Sequence, residues 1–291
     1  MPARDSSTQD AGAALTLRPL AETDLAAAAM LTDSFRWPHR LADWEFMFGL
    51  GDGVASDLDG RLAATGMLWR YGTDHAAIGM VAVAPELQGK GIGRAVMERL
   101  LAMAGERAVA LNATEAGEQL YRSLGFVTQG CVRQMQGDVP QTALQALPQG
   151  DRLRPAGRSD PDMLIALDRQ ACGLNRALLI GALMQAGTTV VLDRGGDAVG
   201  FAVQRHFGRG QVIGPVVAFD AGGAKALIGH FLNTGPGQFV RIDVPEESGL
   251  VDWLAQIGLA DAGPAIHMVR GKVPDRTGPA QRFAMASQAF G

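Results

Sequence analysis

The chain repeats itself, and this limits its possible folds more than any other feature. Leu17-Arg18-Pro19 returns as Leu153-Arg154-Pro155, 136 positions later, and Gly72, just after Trp69-Arg70-Tyr71, returns at the same offset as Gly208. Ile78-Gly79 is matched by Ile213-Gly214 at an offset of 135, Leu124-Gly125-Phe126 by Ile257-Gly258-Leu259 at 133, and Met135-Gln136-Gly137 by Val269-Arg270-Gly271 at 134. Matches in unbroken order with so little drift point to a duplicated unit. The 291 residues then divide into two units of ordinary domain size. We place the first at 16–137 and the second at 151–272, joined by a linker, 138–150, with two prolines and several glutamines. Residues 1–15 are expected to be a disordered leader. The tail, 273–291, holds Phe283 and Phe290 at a spacing that suits a short docking helix.

Composition narrows the function classes. Hydrophobic residues make up 47% of the chain, ample for two cores, and no apolar run reaches the length of a membrane span. Net charge is −4 with the basic residues scattered, which argues against a nucleic-acid surface. The N-terminal ten residues contain no apolar signal-peptide region. Cys131 and Cys172 lie in different halves with no Cys-x-x-Cys spacing, so neither a disulfide framework nor a zinc site is expected. A cytoplasmic, metal-free protein, monomeric or homodimeric, is the default reading.

Residues 78–104 carry the chemistry. An apolar strand leads into Gln88-Gly89-Lys90-Gly91-Ile92-Gly93-Arg94, and a helix follows with Ile92, Val96, Leu100 and Met103 on one face. A helix N-terminus offers unpaired N–H groups and the positive end of the dipole. Glycines let the backbone approach a ligand closely. Together they suit a pyrophosphate, and Lys90 and Arg94 add positive charge. Arg205-His206-Phe207-Gly208-Arg209-Gly210 has the same glycine spacing, but a strand-like run follows it, so it reads as a hairpin turn. The 88–94 turn is not a Walker loop, lacking the closing Lys-Ser/Thr pair, nor a full dinucleotide fingerprint.

This turn resembles the acyl-CoA loop of the GNAT superfamily of N-acetyltransferases, and the resemblance covers residues 16–137. Leu17-Arg18-Pro19 with Glu22-Thr23-Asp24 resembles the family's first strand and helix cap, and Asp59-Gly60 reads as a hairpin turn. Val109 to Thr114 reads as a strand entering a helix, and Leu120-Tyr121-Arg122-Ser123-Leu124-Gly125-Phe126 matches the family signature. The implied fold class is α/β (α+β): two tandem GNAT-like domains, each a mixed, mostly antiparallel sheet splayed at its central strand and flanked by helices. The second copy looks degenerate. After Val216-Val217-Ala218 comes Phe219-Asp220-Ala221-Gly222-Gly223, with no such glycine turn and a carboxylate where phosphate would need donors. Trp253-Leu254 stands near the counterpart of Tyr121. Tandem proteins with one active and one degenerate domain are a known type in the superfamily.

The resemblance implies an N-acetyltransferase that moves an acetyl group from acetyl-CoA to a primary amine of a small molecule, amino-acid derivative or peptide. The alternative is a non-catalytic acyl-CoA-binding module. It implies that the backbone of Val81, Ala82 and Val83 pairs with the pantetheine arm and polarises the thioester. It also implies that Gln88, Gly89, Lys90, Gly91, Ile92, Gly93 and Arg94 cradle the pyrophosphate, and that Tyr121 protonates the departing thiolate. Many relatives carry Asn where Thr114 stands. Thr114 or Asn112 either touches the pantetheine or merely shapes the strand-to-helix turn. Trp37, Asp43 and Trp44 lie in the segment that borders the acceptor pocket in this fold, although Trp44, Phe46 and Phe48 also fit a helix packing face. His39, Glu45, His75 and Glu86 are equal candidates for a general base. Asp168 and Arg176 beside Cys172 suit either an ion pair within one helix or substrate contacts from the second copy.

Overall fold

The computed structural model describes residues 16–138 and 146–291. The leader, 1–15, and the linker residues 139–145 lie outside the described residues. The first half runs β1 (Thr16–Pro19), α1 (Leu25–Asp33), α2 (Leu41–Phe48), β2 (Asp52–Leu58), β3 (Arg61–Tyr71), β4 (His75–Val83), α3 (Ile92–Ala104), β5 (Ala108–Ala113), α4 (Glu115–Ser123) and β6 (Val127–Asp138). The second half repeats that order: β7 (Asp151–Pro155), α5 (Pro161–Cys172), α6 (Ala177–Ala186), β8 (Thr188–Arg194), β9 (Asp197–Phe207), β10 (Gly210–Ala218), α7 (Ala221–Thr234), β11 (Phe239–Pro245), α8 (Val251–Gln256) and β12 (Ala260–Arg270).

Local chemistry sets the elements. Asp59 and Gly60 both take positive φ (51° and 73°), the hairpin turn between β2 and β3 that twisted strands favour. Phe207 and Gly210 end and begin two strands, so the second glycine match is indeed a hairpin. Helix α3 buries Ile92, Val96, Met97, Leu100 and Ala104, each large side chain contributing roughly 1.5–3 kcal/mol. The helix crosses β3 at Gly66, where an added Cβ would stand 2.7 Å from Leu100 Cδ1.

The duplication extends to an ion cluster. Arg18 on β1 donates to Asp24 (2.6 Å) and to Asp57 on β2 (2.6 Å). Arg154 on β7 donates to Asp160 (2.6 Å) and to Asp193 on β8 (3.1 Å), with every member shifted by the same 136 positions. Each arginine holds the edge strand, its neighbour and the start of the first helix together.

The two halves do not close on themselves. The described strands form a single sheet in the order β1-β2-β3-β4-β5-β12-β6-β11-β10-β9-β8-β7. Strand β12 of the second half pairs with β5 of the first, from Ile266↔Ala113 to Arg270↔Val109. Strand β6 of the first half pairs with β11 of the second, from Phe239↔Asp138 to Pro245↔Val132. The last strands are thus exchanged across a pseudo-two-fold axis.

Each half opens at its central strands. Parallel pairing of β4 with β5 lasts from His75↔Ala108 to Ala77↔Ala110 and then stops. A bulge opposite Gly66, with Met80 at φ 54°, turns β4 away. Strands β10 and β11 pair only at Gln211↔Val240 and Val212↔Arg241. The tail runs through both openings. Residues Gln281–Ala284 form β13, antiparallel to β10, and Met285 N donates to Asp243 O on β11 (2.8 Å). A 3-10 turn, Gln288–Phe290, then enters the first opening, where Asn112 Nδ2 donates to Gln288 O (2.7 Å). Phe290 is fully buried edge-on against Trp69, with ring centroids 4.9 Å apart, and Tyr71 OH donates to its carbonyl (2.6 Å). The expected tail helix is therefore replaced by irregular chain, a short strand at Gln281–Ala284 and a 3-10 turn at Gln288–Phe290. The second half holds the tail through unpaired strand edges that supply backbone partners, and the first half through the side chains of Asn112 and Tyr71.

Candidate active site

Residues 84–91 connect β4 to α3, whereas only 219–220 connect β10 to α7. In the first connection Gly89 and Gly91 take φ of 75° and 83°, and a Cβ at either would meet nothing within 4 Å. Gly91 is the N-cap of α3 and no side chain caps it. The N–H groups of Ile92, Gly93 and Arg94 therefore lack helical acceptors. Gln88 Nε2 donates back to Val83 O (3.1 Å), which closes the loop, and Arg94 reaches Ser123 Oγ (2.7 Å). A groove of about 570 Å³ opens over this end, lined by Val81, Ala82, Val83, Gln88, Gly91 and Tyr121 among others. Gly89, Ile92, Gly93, Arg94 and Thr114 also line it, while Lys90 is exposed outside it.

The second half is closed at the same place. Asp220 is the N-cap of α7, and its carboxylate accepts from Gly223 N (2.8 Å), using a donor that α3 leaves free. Its sheet opening is filled by β13. At the position of Tyr121 stands Leu254, buried in the core.

A second cavity of about 320 Å³ adjoins the groove, and Trp37, Val81, Thr114 and Tyr121 line both. Tyr121 is nearly buried, edge-on to Phe126 (6.1 Å). Gly117, one helical turn earlier, makes room for the ring: a Cβ there would stand 2.9 Å from Cε2. Burial pushes the phenol up to about 12, so it is a neutral hydroxyl at ordinary pH. Thr114 occupies the N-cap position of α4, yet its side chain makes no capping bond. Asn112 lines the second cavity and not the groove, its amide held by Gln288 O and by His267 Nδ1 (3.1 Å).

The expected acceptor residues separate. Trp37 lines both cavities, but Asp43 and Trp44 line neither. Trp44 is fully buried and donates to Thr32 Oγ1 (3.2 Å), a packing residue between α1 and α2. Asp43 caps α2 by accepting from Arg40 N (2.9 Å) and Arg40 Nη2 (2.9 Å), and also accepts from Gly208 N (3.0 Å) of the second half. Buried and lining neither cavity, its carboxylate is out of a substrate's reach. Glu45 and Glu86 are exposed outside both cavities, and His75 lines a separate one of about 140 Å³. His39 alone among the candidate bases reaches the second cavity, and burial, with help from Arg241, lowers it to about 3. Asp168 and Arg176 form a fully buried bidentate pair (2.5 and 3.0 Å) that joins α5 to the start of α6, so the pair spans two helices and not one.

Sequence reading missed the far wall of the second cavity. Gln134 on β6, Arg241 on β11, Ala262 to Ala265 on β12 and Ser287 to Ala289 in the tail supply it. No local pattern marks them, because the strand exchange brings them there.

Comparison with known proteins agrees with this architecture. Residues 22–126 match the Acetyltransferase (GNAT) family model, and residues 164–280 match a second, described as Acetyltransferase (GNAT) domain. The uncharacterized N-acetyltransferase YitH of Bacillus subtilis is 30% identical over 220 residues, covering 74% of this chain and 76% of YitH. A candidate acetyltransferase from Pyrococcus horikoshii superposes with a TM-score of 0.78 over 99% of both chains at 19% identity. A tandem GNAT protein from the clavulanic acid biosynthesis pathway superposes with a TM-score of 0.63, over 88% of this chain and 98% of that one, at 15% identity. The chain belongs to the GNAT family of acetyltransferases. Within it, the two copied halves make this a tandem GNAT N-acetyltransferase.

Proposed function

We propose that this protein transfers an acetyl group from acetyl-CoA to a primary amine of a small molecule, amino-acid derivative or peptide. One acetyl-CoA serves each chain, through the first half alone. The observation that carries this reading is the meeting of two cavities at Tyr121, one of them ending on the uncapped N-terminus of α3. The residues present fit the cofactor: the free N–H groups of Ile92, Gly93 and Arg94 suit a pyrophosphate. The unpaired edge of β4 at Val81, Ala82 and Val83 suits an extended amide chain added as a strand. Lys90, exposed beside the loop, adds long-range attraction only.

The acceptor enters from the second cavity. Its neutral nitrogen attacks the thioester carbon, an N–H of the β4 edge stabilises charge on the carbonyl oxygen, the C–N bond forms and the C–S bond breaks. The Tyr121 hydroxyl gives its proton to the departing sulfur. The surplus proton of the amine then travels through solvent to the phenolate and restores the Tyr121 hydroxyl. Products are the acetamide and the free thiol of coenzyme A.

The test is thiol release from acetyl-CoA across a panel of amines, with mass spectrometry of the acetylated product. Turnover with at least one amine is expected. Tight acetyl-CoA binding with no turnover on any amine refutes catalysis and leaves a binding module.

A further inference from the structure

We propose that the amine acceptor carries a carboxylate, received at the His39 and Arg241 end of the second cavity. The inference rests on the reading of that cavity as the acceptor site. Among the described residues that line it there is no Asp, Glu or Lys. The charged residues are Arg36, exposed at the rim, and Arg241, 6% exposed.

What lies behind the wall sharpens the sign. Arg241 donates to Asp243 through Nε (2.9 Å) and Nη2 (3.0 Å), and Asp243, with no exposure of its own, also takes a bond from Gln288 Nε2 (3.3 Å). Arg205 lies deeper, 5% exposed, stacked over Phe46 and Phe207 at 5.0 Å from each ring centroid. Its Nε has no hydrogen-bond partner among the described residues, and Asp43 stands 4.0 Å away, already committed to Arg40 and Gly208. Among the described residues the buried Arg205 and Arg241 are balanced by the buried Asp43 and Asp243, and Arg40, its side chain 43% exposed, adds a positive charge at the solvent edge. Phe207 carries His39 on its ring edge (5.3 Å), and the buried His39 Nδ1 has no partner among the described residues.

An unmatched guanidinium N–H and an unmatched ring nitrogen are costly features in a finished interior. A ligand carboxylate at this end can accept from His39 with the proton on Nδ1 and stand beside the Arg241 guanidinium, with no carboxylate among the described lining residues to repel it. The same field opposes an ammonium group, so it rejects polyamines and favours the neutral, nucleophilic form of the amine. Burial first, and then Arg241, keep His39 neutral, which suits it as a donor and makes it a poor base.

The experiment uses the full chain and three acceptors on one carbon skeleton: an α-amino acid, its carboxamide and its decarboxylated amine. Thiol release should favour the acid by about 10- to 100-fold in kcat/KM, the range for hydrogen bonds to a charged group. Calorimetry with the coenzyme A-saturated protein reads the same preference without turnover. The double variant Arg241→Gln/Asp243→Asn, which removes the ion pair without orphaning a charge, should bring the acid-over-amide ratio toward one, and so should His39→Phe. An amide or decarboxylated amine that binds and reacts as well as the acid, or a polyamine that outcompetes it, overturns the proposal. If the acid binds selectively but no amine is acetylated, carboxylate recognition stands and the acetyl-transfer reading falls.

Discussion

Replacing Gly91 separates backbone strain from phosphate recognition. Its φ of 83° and ψ of −2° lie in the left-handed region, and a Cβ there meets nothing within 4 Å. Gly91→Ala therefore costs stability only through conformation, about 1–2 kcal/mol. A chain of this size should then lose only a few degrees of Tm, at about 2–4 °C per kcal/mol. Gly91→Asp adds a carboxylate beside the free N–H groups of α3. Two unit charges at about 4 Å interact by about 4 kcal/mol at an effective dielectric of 20, and salt reduces this further. Acetyl-CoA Kd should rise at least about 100-fold for Asp and about tenfold for Ala, as measured by calorimetry beside thermal denaturation. Gly60→Asp is the control: its φ is 73°, its Cβ also meets nothing, and it lies in the β2–β3 hairpin outside the groove. The reasoning is refuted if Gly91→Asp binds acetyl-CoA as tightly as the parent while losing the same Tm as Gly60→Asp.

Tyr121→Phe should lower kcat by about 10- to 1000-fold with little change in acetyl-CoA Kd; an unaltered kcat across pH would make Tyr121 a packing residue. Between pH 6 and 10 neither Tyr121, raised to about 12, nor His39, lowered to about 3, titrates. The acid form of Tyr121 is lost only above its raised value, so kcat/KM should climb on the single limb of the acceptor amine; a falling limb near pH 8 contradicts this. Phe290→Ala empties a fully buried site beside Trp69 and should cost about 3–5 kcal/mol in urea unfolding. It should also raise the acceptor KM, because Ser287 to Ala289 line the second cavity; a loss below about 1 kcal/mol with unchanged KM counts against a role for the tail there. A chain cut after Asp138 should fail to give soluble monomer, since β5 and β6 would both lose their β12 partner; a soluble fragment that binds acetyl-CoA contradicts this.

Much of the first half was legible in the sequence because its signals are local. A positive φ at Gly91, a helical face of Ile92, Val96 and Leu100, and a hairpin at Asp59-Gly60 each depend on a few neighbouring residues. The repeat was legible for the same reason, since each copy encodes the same local elements, down to Arg18 and Arg154. The short connection capped by Asp220 in the second half also showed in the sequence. Asp43 and Trp44 misled because a helix start rich in aromatic and acidic residues reads alike whether it packs inward or faces a ligand. The rest was decided only by the tertiary structure. Backbone hydrogen bonds carry no address, so the alternation in β6 and β12 does not say whose sheet each strand completes. The exchange of those strands, and the tail threaded through both openings, bring Arg241, Gln134 and Gln288 to the cavity beside Tyr121. Those residues are far apart along the chain, and only the closing of the whole sheet puts them on one wall.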